Sequence, residues 1–414
     1  MELKTQTEFA VDNASILFLS LMRRNHTNAF RFTMTLKEPV CPETLQMAVD
    51  RIWRRFPSVI AGFRPGFFRF RQVPAVMPPQ VQPDTGCLKT MTQKELLECC
   101  YRVLYAGNDV SIEAFHALTD GYGAITTFTT LIAEYLQLKQ GIQIPVTETR
   151  LDAQTLPCDH EVADSFLEHT AAKPRHLPSR FSYQLPRSSY SDWQVRTSSL
   201  TMETRLLLEA AHRYEVTLNT LLSSVLASSV MEIQKKYQTR LKPVRIMVPV
   251  DLRRLFPSKT LRNFSLYALP TMEVQDHSSS LQELCRSFGA QLRSHLSKET
   301  LSGMISYNVR TQNAWYFRYI PWAIKGAAMR LGYRFFGESN SSLTLTNLGR
   351  VQLPEALQPH VADMQVYLTP RMGSPYGCAV LSFGDRITIN MSRFCVRPEL
   401  EEVFFRKLQA VVNP

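Results

Sequence analysis

A chain of 414 residues is too long for one ordinary hydrophobic core and suits two lobes of about 200 residues each. Hydrophobic residues make up 44% and charged residues 20%, which excludes general disorder and allows large cores. The net charge of +11 is dominated by arginine spread over the whole length, without a basic run or a nucleic-acid module signature. That pattern argues against nucleic acid as a partner and leaves a phosphate-bearing substrate or a partly incidental charge.

No apolar run approaches the roughly 18 positions of a membrane-spanning helix, so none is expected. The opening MELKTQTEFAVDNASILFLSLMRR has no basic start followed by an apolar core and a cleavage site. It does not read as a signal peptide, and a cytoplasmic location is the expectation. Cysteines at 41, 87, 99, 100, 158, 285, 378 and 395 form no Cys-x-x-Cys pair and read as reduced, mostly buried thiols. No His and Cys spacing suits zinc, so no metal is expected, and no Gly-rich phosphate loop supports nucleotide chemistry.

In chain order, PETLQMAVDRIWRRF (42–56) places Leu45, Val49, Ile52, Trp53 and Phe56 at helical spacing, with Arg51, Arg54 and Arg55 pointing elsewhere. Residues 73–86 are Pro-rich and read as extended segments joined by turns. VSIEAFHAL (110–118) reads as a strand, followed by a helix with Ile125, Phe128, Ile132, Tyr135 and Leu136 on one stripe. Residues 139–195 carry scattered Pro, Ser and Arg with weak periodicity and suit a long crossover between a lobe 1–175 and a lobe 196–414. Two helices are expected over 201–236 and another over 281–296. Strands are expected at 245–252, 342–349, 364–370, 377–384 and 386–394, and a closing helix at 398–412. Strands and helices mix in both halves without βαβ alternation, so the predicted class is α+β sandwiches rather than a doubly wound sheet.

The chemistry-bearing segment is FHALTDGYGA (115–124): a histidine, three residues, then Asp and Gly at a strand-to-helix junction. A strand end would hold His116 rigidly at a sheet edge, and Gly121 would let the backbone swing into the helix. A neutral imidazole, with a reference pKa of about 6.5, can take a proton from an alcohol or amine attacking a carbonyl. Asp120 could orient that ring or anchor the turn through an arginine, and spacing alone does not decide.

FHALTDG resembles the His-x-x-x-Asp-Gly motif of the CoA-dependent acyltransferase superfamily. That superfamily includes chloramphenicol acetyltransferase, plant BAHD acyltransferases, peptide-synthetase condensation domains and alcohol acetyltransferases. VPVDLRRLFPSKTLRNFS (248–265), LTLTNLGRVQLP (343–354) and the final LSFGDRITINMSRF strands are similar to that family's C-terminal half. The likeness covers nearly the full length. It implies two similar α/β sandwich lobes with a central tunnel, the thioester entering at one face and the acceptor at the other. Carried onto this chain, it implies that His116 is the general base, Asp120 the anchor of the motif, Gly121 the turn and Arg253 a structural partner of the site. Thr344, Thr346, Asn347 and Ser382 are the candidates for stabilising the oxyanion.

Phe115 stands where condensation domains usually carry a first histidine, and the Asp-Phe-Gly-Trp-Gly signature of BAHD enzymes is absent, SFGD (382–385) being only superficially like it. These departures favour the alcohol acetyltransferase branch, working without metal or bound cofactor and with acyl-CoA as cosubstrate. The expected reaction is transfer of an acyl group to the hydroxyl or amine of a small, apolar acceptor. The alternatives are an enzyme fed by a separate acyl carrier protein and a non-catalytic binding module of the same fold. WYFRYIPWAIKGAAMRLGYRFFG (315–337) reads as a helix covering the tunnel.

Overall fold

The computed structural model describes residues 8–23, 26–170, 173–186, 194–237, 240–315 and 319–413. The first half contains β1 (Phe9–Ala10), α1 (Asn13–Leu21), β2 (Ala29–Leu36), α2 (Pro42–Ile52), β3 (Ala61–Pro65), β4 (Phe70–Pro74) and β5 (Val81–Pro83). There follow α3 (Gln93–Glu98), β6 (Tyr101–Ala106), β7 (Asp109–Phe115), α4 (Gly121–Gln140) and a short α5 (Asp159–Val162). The second half adds β8 (Arg196–Glu203), α6 (Thr204–Arg213), α7 (Leu218–Tyr237), β9 (Val244–Asp251), β10 (Ser265–Ala268), β11 (Thr271–Met272), α8 (Leu281–His295) and α9 (Lys298–Asn313). A helix Trp322–Gly332, strands β12 (Leu343–Arg350), β13 (Val361–Leu368), β14 (Tyr376–Phe383) and β15 (Arg386–Arg393), and a closing helix Glu399–Val412 complete the chain.

These elements make the α+β architecture expected. One five-stranded sheet has the order β13-β2-β7-β6-β5, and a seven-stranded sheet runs β10-β9-β12-β14-β15-β8 with β11 also paired to β9. Each sheet carries its own apolar core. The first gathers Phe32, Leu45, Ile112, Phe128 and Ile132, and the second Leu222, Ile246, Phe288, Ile389 and Phe404. The cores do not divide at the crossover, because β13 leaves the second half and pairs antiparallel with β2 from Leu36 to Phe30. A cut in sequence near 175–196 therefore does not separate the two sheets.

Local sequence explains the ends of the helix that matters most. Asp120 caps α4 by accepting from the backbone N–H groups of Tyr122 and Gly123, and Gly141 ends it in the left-handed conformation that glycine adopts freely. The expected helix at 42–56 is α-helical to Ile52 and finishes as a 3₁₀ turn. Its Arg55 departs from the expected solvated face. It is buried and clamps Glu161 with two bonds of 2.6 and 2.8 Å, tying the crossover to the first lobe. SFGD ends strand β14 and turns into β15, with Gly384 at φ +60°.

Part of the aromatic segment 315–337, residues 316–318, lies outside the described residues, as do 171–172 and 187–193 of the crossover. The helix Trp322–Gly332 packs beside α1 and is fixed to the β3–β4 loop by Trp322 N–H donating to the Phe67 carbonyl and by Lys325 Nζ donating to the Phe68 carbonyl. Among the described residues no single helix is long and apolar enough to cross a membrane.

Candidate active site

The strand β7 ends at Phe115, and His116 is the next residue. Its N–H donates to the Asn28 carbonyl, and its own carbonyl accepts from Asn263 Nδ2 at 3.0 Å. The backbone of the histidine is thus held on one side by the first lobe and on the other by the loop before β10. Aromatic rings fix the imidazole: Phe18 stacks on it at 4.6 Å and Phe30 meets it edge-on at 5.1 Å. The side chain is half-buried, and Nδ1 is buried without a hydrogen-bond partner in the described residues. Burial lowers the His116 pKa below the ordinary imidazole value. Its own carbonyl, Asp120 and Asn263 oppose this more weakly.

Asp120 faces away from that ring. One carboxylate oxygen caps α4, and the other accepts from Phe264 N–H at 2.8 Å and Arg253 Nη1 at 2.8 Å. Arg253 and Asp120 are each 7% exposed at the side chain, so the pair is dry. Arg253 spends its other donors on the carbonyls of Thr260 and Arg262 and on Asp251, and lies over the Tyr122 ring at 4.6 Å. One guanidinium therefore closes the loop 260–262 onto the motif from the second lobe.

Gly121 sits at the junction where the chain passes into α4. Its φ lies outside the left-handed region, and it is the first residue of α4. A Cβ there would meet only the tip of Leu348, at 2.8 Å. The tighter glycine is Gly123, where a Cβ would fall 2.1 Å from the Leu261 carbonyl oxygen and 2.3 Å from Thr119 Oγ1. Thr119 Oγ1 itself donates to that carbonyl, so the motif lies directly against the Leu261 backbone at this point.

The four oxyanion candidates separate by strand alternation. On β12, Leu343 and Leu345 enter the second core, so Thr344, Thr346 and Leu348 share the other face, where Leu348 meets Gly121. On β14, Ala379 and Leu381 join the first core while Cys378 and Val380 join the second. Asn347, opposite Val380, and Ser382 fall on that second-core face, away from the motif. Asn347 Oδ1 accepts from Gly349 N–H instead. Thr344 Oγ1 is buried without a partner in the described residues.

Three further residues frame the site without having been legible in the motif: Asn263, Phe18 and Ser15. Ser15 Oγ donates to the Ala117 carbonyl at 2.6 Å and thereby attaches α1 to the motif. Behind it lies a buried charged cluster. Asp12 caps α1 and faces Arg262 Nη2 at 3.4 Å. Burial, and then the charge of Asp12, push nearby Asp164 up to about 6, against the attraction of Arg262. A cleft of about 960 Å³ opens beside Tyr122, Arg253 and Leu261, with Lys259 and Glu148 on its walls. Among the described residues no cluster of metal-ligating side chains occurs.

No family profile matches the sequence, and no curated protein matches it. Solved structures do match over nearly the full length. Polyketide synthase associated protein 5 from Mycobacterium tuberculosis shares 13% identity, with 98% of this chain and 97% of that one covered, at a TM-score of 0.61. A starter condensation domain of rhizomide synthetase, in complex with C8-CoA and Leu-SNAC, shares 14% over 99% and 95%, at 0.60. Trichothecene 15-O-acetyltransferase from Fusarium sporotrichioides shares 9% over 98% and 94%, at 0.59. At such identities the likeness is one of shape, and it places this chain in the two-lobed fold common to CoA-dependent acyltransferases and condensation domains.

Proposed function

We propose that the protein is an acyltransferase in which His116 acts as general base, moving an acyl group from a thioester such as acyl-CoA to the hydroxyl or amine of a small acceptor. The observation that carries this reading is the half-buried imidazole itself. It is anchored through its backbone by Asn28 and Asn263 and walled by Phe18 and Phe30, with its pKa lowered by burial. A base of that kind is neutral at physiological pH and can receive the acceptor's proton as oxygen or nitrogen attacks the thioester carbonyl. The proton then passes to the departing thiolate, which leaves as free thiol. Thr344 is the best-supported candidate donor to the developing oxyanion.

Asp120 and Arg253 serve as positioning residues. Their bonds run to α4, Phe264 and the loop 260–262 rather than to the imidazole. The aromatic walls favour an acceptor that is apolar around its reacting group. The acetyltransferase among the similar structures supports a free-standing enzyme of the alcohol acetyltransferase type, while the condensation domains keep a carrier-protein donor as the second reading.

The deciding experiment is a free-thiol release assay with several acyl-CoAs and a panel of alcohols and amines. Thiol release that depends on the acceptor is expected. Silence with every donor, carrier-bound thioesters included, would instead favour a binding module.

A further inference from the structure

The helix Trp322–Gly332 is apolar on two opposite sides. On one, Trp322 and Met329 pack against the first core, and Lys325 and Gly326 on the same side are buried. The other side carries Ile324, Ala327, Ala328 and Leu331, the i, i+3, i+4, i+7 spacing that normally marks a core-facing stripe. Here the stripe faces solvent: Ile324 is 62% exposed and Leu331 58%. A helix that is apolar all round calls for apolar surroundings on both sides, and the fold supplies only one.

The β3–β4 hairpin extends this surface. The Trp322 N–H and Lys325 Nζ hold its tip by the carbonyls of Phe67 and Phe68, and Phe70 meets the Trp322 ring edge-on at 4.9 Å. With its backbone pinned in this way, the tip leaves Phe67 74% exposed. Phe68 is exposed as well, beside the exposed ring of Tyr319 at 6.5 Å. Two elements far apart in sequence thus bring aromatic and aliphatic side chains into solvent side by side.

Charge indicates what covers them. The hairpin AGFRPGFFRFRQVP (61–74) contains three basic residues and the segment 315–337 four, and neither contains an acidic one. Arg71 pairs with Glu8, while Arg69 and Arg330 stand exposed at the border of the apolar surface. A second copy seated here would set these cations against their own counterparts, in a chain of net charge +11. An anionic lipid surface suits both parts: aromatic and aliphatic side chains enter the boundary of the acyl chains, and the arginines meet the headgroups. Eleven residues of helix rise only about 16 Å, roughly half of a bilayer's hydrocarbon core, so this helix lies along a membrane rather than across it.

We propose that the helix Trp322–Gly332 and the tip of the β3–β4 hairpin form a docking face for anionic lipid membranes. Phe67, Ile324 and Leu331 insert, and Arg69 and Arg330 bind headgroups. The proposal is independent of the acyltransferase reading and is tested without turnover.

The test is co-sedimentation of the full chain with vesicles of phosphatidylcholine alone and with phosphatidylserine-rich vesicles. The anionic vesicles should be bound about tenfold or more tighter than the neutral ones, and added salt should narrow the difference. The double variant Ile324→Ser, Leu331→Ser and the single variant Phe67→Ser alter side chains that already face solvent. Each should keep the parent melting temperature and weaken vesicle binding by about tenfold. Arg69→Gln and Arg330→Gln should each weaken it by about fivefold, the effect of one cation near an anionic surface. Arg286→Gln, exposed on α8 in the second half, should leave it unchanged. Equal affinity for the two vesicle types would overturn the proposal, and so would binding that survives the apolar substitutions or falls equally with Arg286→Gln. A dimer in sedimentation velocity that the apolar substitutions dissolve would also overturn it, by giving the face to a second copy.

Discussion

Asn263, on the loop that leads into β10, donates its side-chain amide to the main-chain carbonyl of His116 at 3.0 Å, across 147 positions of sequence. The candidate base is therefore placed by the second lobe as much as by its own strand. Arg253 and Thr260 reinforce the arrangement, since the same loop is strapped to the motif through Asp120. Tests of the site should accordingly separate residues that do chemistry from residues that hold the lobes in register.

Replacing His116 by Ala should reduce turnover by about 10²–10⁴-fold, the usual contribution of general-base catalysis. Among the described residues Nδ1 of the ring has no hydrogen-bond partner, so the melting temperature should fall less than in Asp120→Asn. The acid limb of the kcat/KM profile in the parent protein should lie below the ordinary imidazole value of about 6.5, because burial lowers this pKa. A limb above that value would mean that the titrating group is not this histidine.

Asp120→Asn should cost stability as well as rate. Breaking a buried ion pair typically costs about 3–5 kcal/mol, because the remaining charge is stranded. Asp251, 2.9 Å from Arg253, softens the loss toward the lower end. In a double-mutant cycle with Arg253→Met, the combined variant should be less destabilised than the sum of the singles. Strict additivity in chemical denaturation would show that the pair contributes nothing as a pair.

Thr344→Val keeps shape and removes only a hydroxyl that has no partner in the described residues. If that hydroxyl stabilises the oxyanion, kcat should fall by about 10²-fold with unchanged denaturation behaviour. The same substitution at Thr346 gives the comparison on the same strand face. Full activity in Thr344→Val would transfer the role to a backbone donor.

The two glycines of the motif should differ sharply. Gly121→Ala asks only that the end of the Leu348 side chain rotate. Gly123→Ala drives a methyl group into the Leu261 carbonyl, and overpacking of this kind costs about 1–3 kcal/mol or more. Urea titration of both variants checks the order.

Asp164 provides a test by pH. Its folded-state value of about 6 lies above the unfolded carboxyl value of about 3.9, so the folded chain holds the proton longer. Stability from this group is therefore lost as pH rises between those values, and the penalty is complete above the higher one. Asp164→Asn should raise the melting temperature near pH 7, with the gain vanishing near pH 4. A loss at neutral pH would show that Arg262 pairs with Asp164 more strongly than burial and Asp12 oppose it.

Much of this site is local and was legible for that reason. A strand ending at His116, a capping Asp and an apolar stripe on α4 are short-range patterns, and so are the mixed strands and helices that gave the α+β class. What escaped depends on distance. Nothing in NASILFLSL shows that Phe18 will stack on a histidine nearly a hundred residues later. Arg55 was assigned to solvent by helical phase, but its partner Glu161 arrives from the crossover, where periodicity is weak. Strand β8, RTSSLTME, went unread because an edge strand with one face exposed carries too few apolar residues to show alternation. At Gly121, where the chain passes from strand to helix, the local sequence does not show that the position also leaves room for Leu348.

The exchange of β13 into the first sheet bears on how the chain matures. Until residues 361–368 emerge from the ribosome, β2 has a bare hydrogen-bonding edge, although everything else in its sheet was synthesised more than two hundred residues earlier. An N-terminal fragment ending at the crossover would present that edge to any passing strand, which is how incomplete sheets aggregate. Strand β13 thus acts as an internal clasp, and completion of the first sheet waits for residues 361–368.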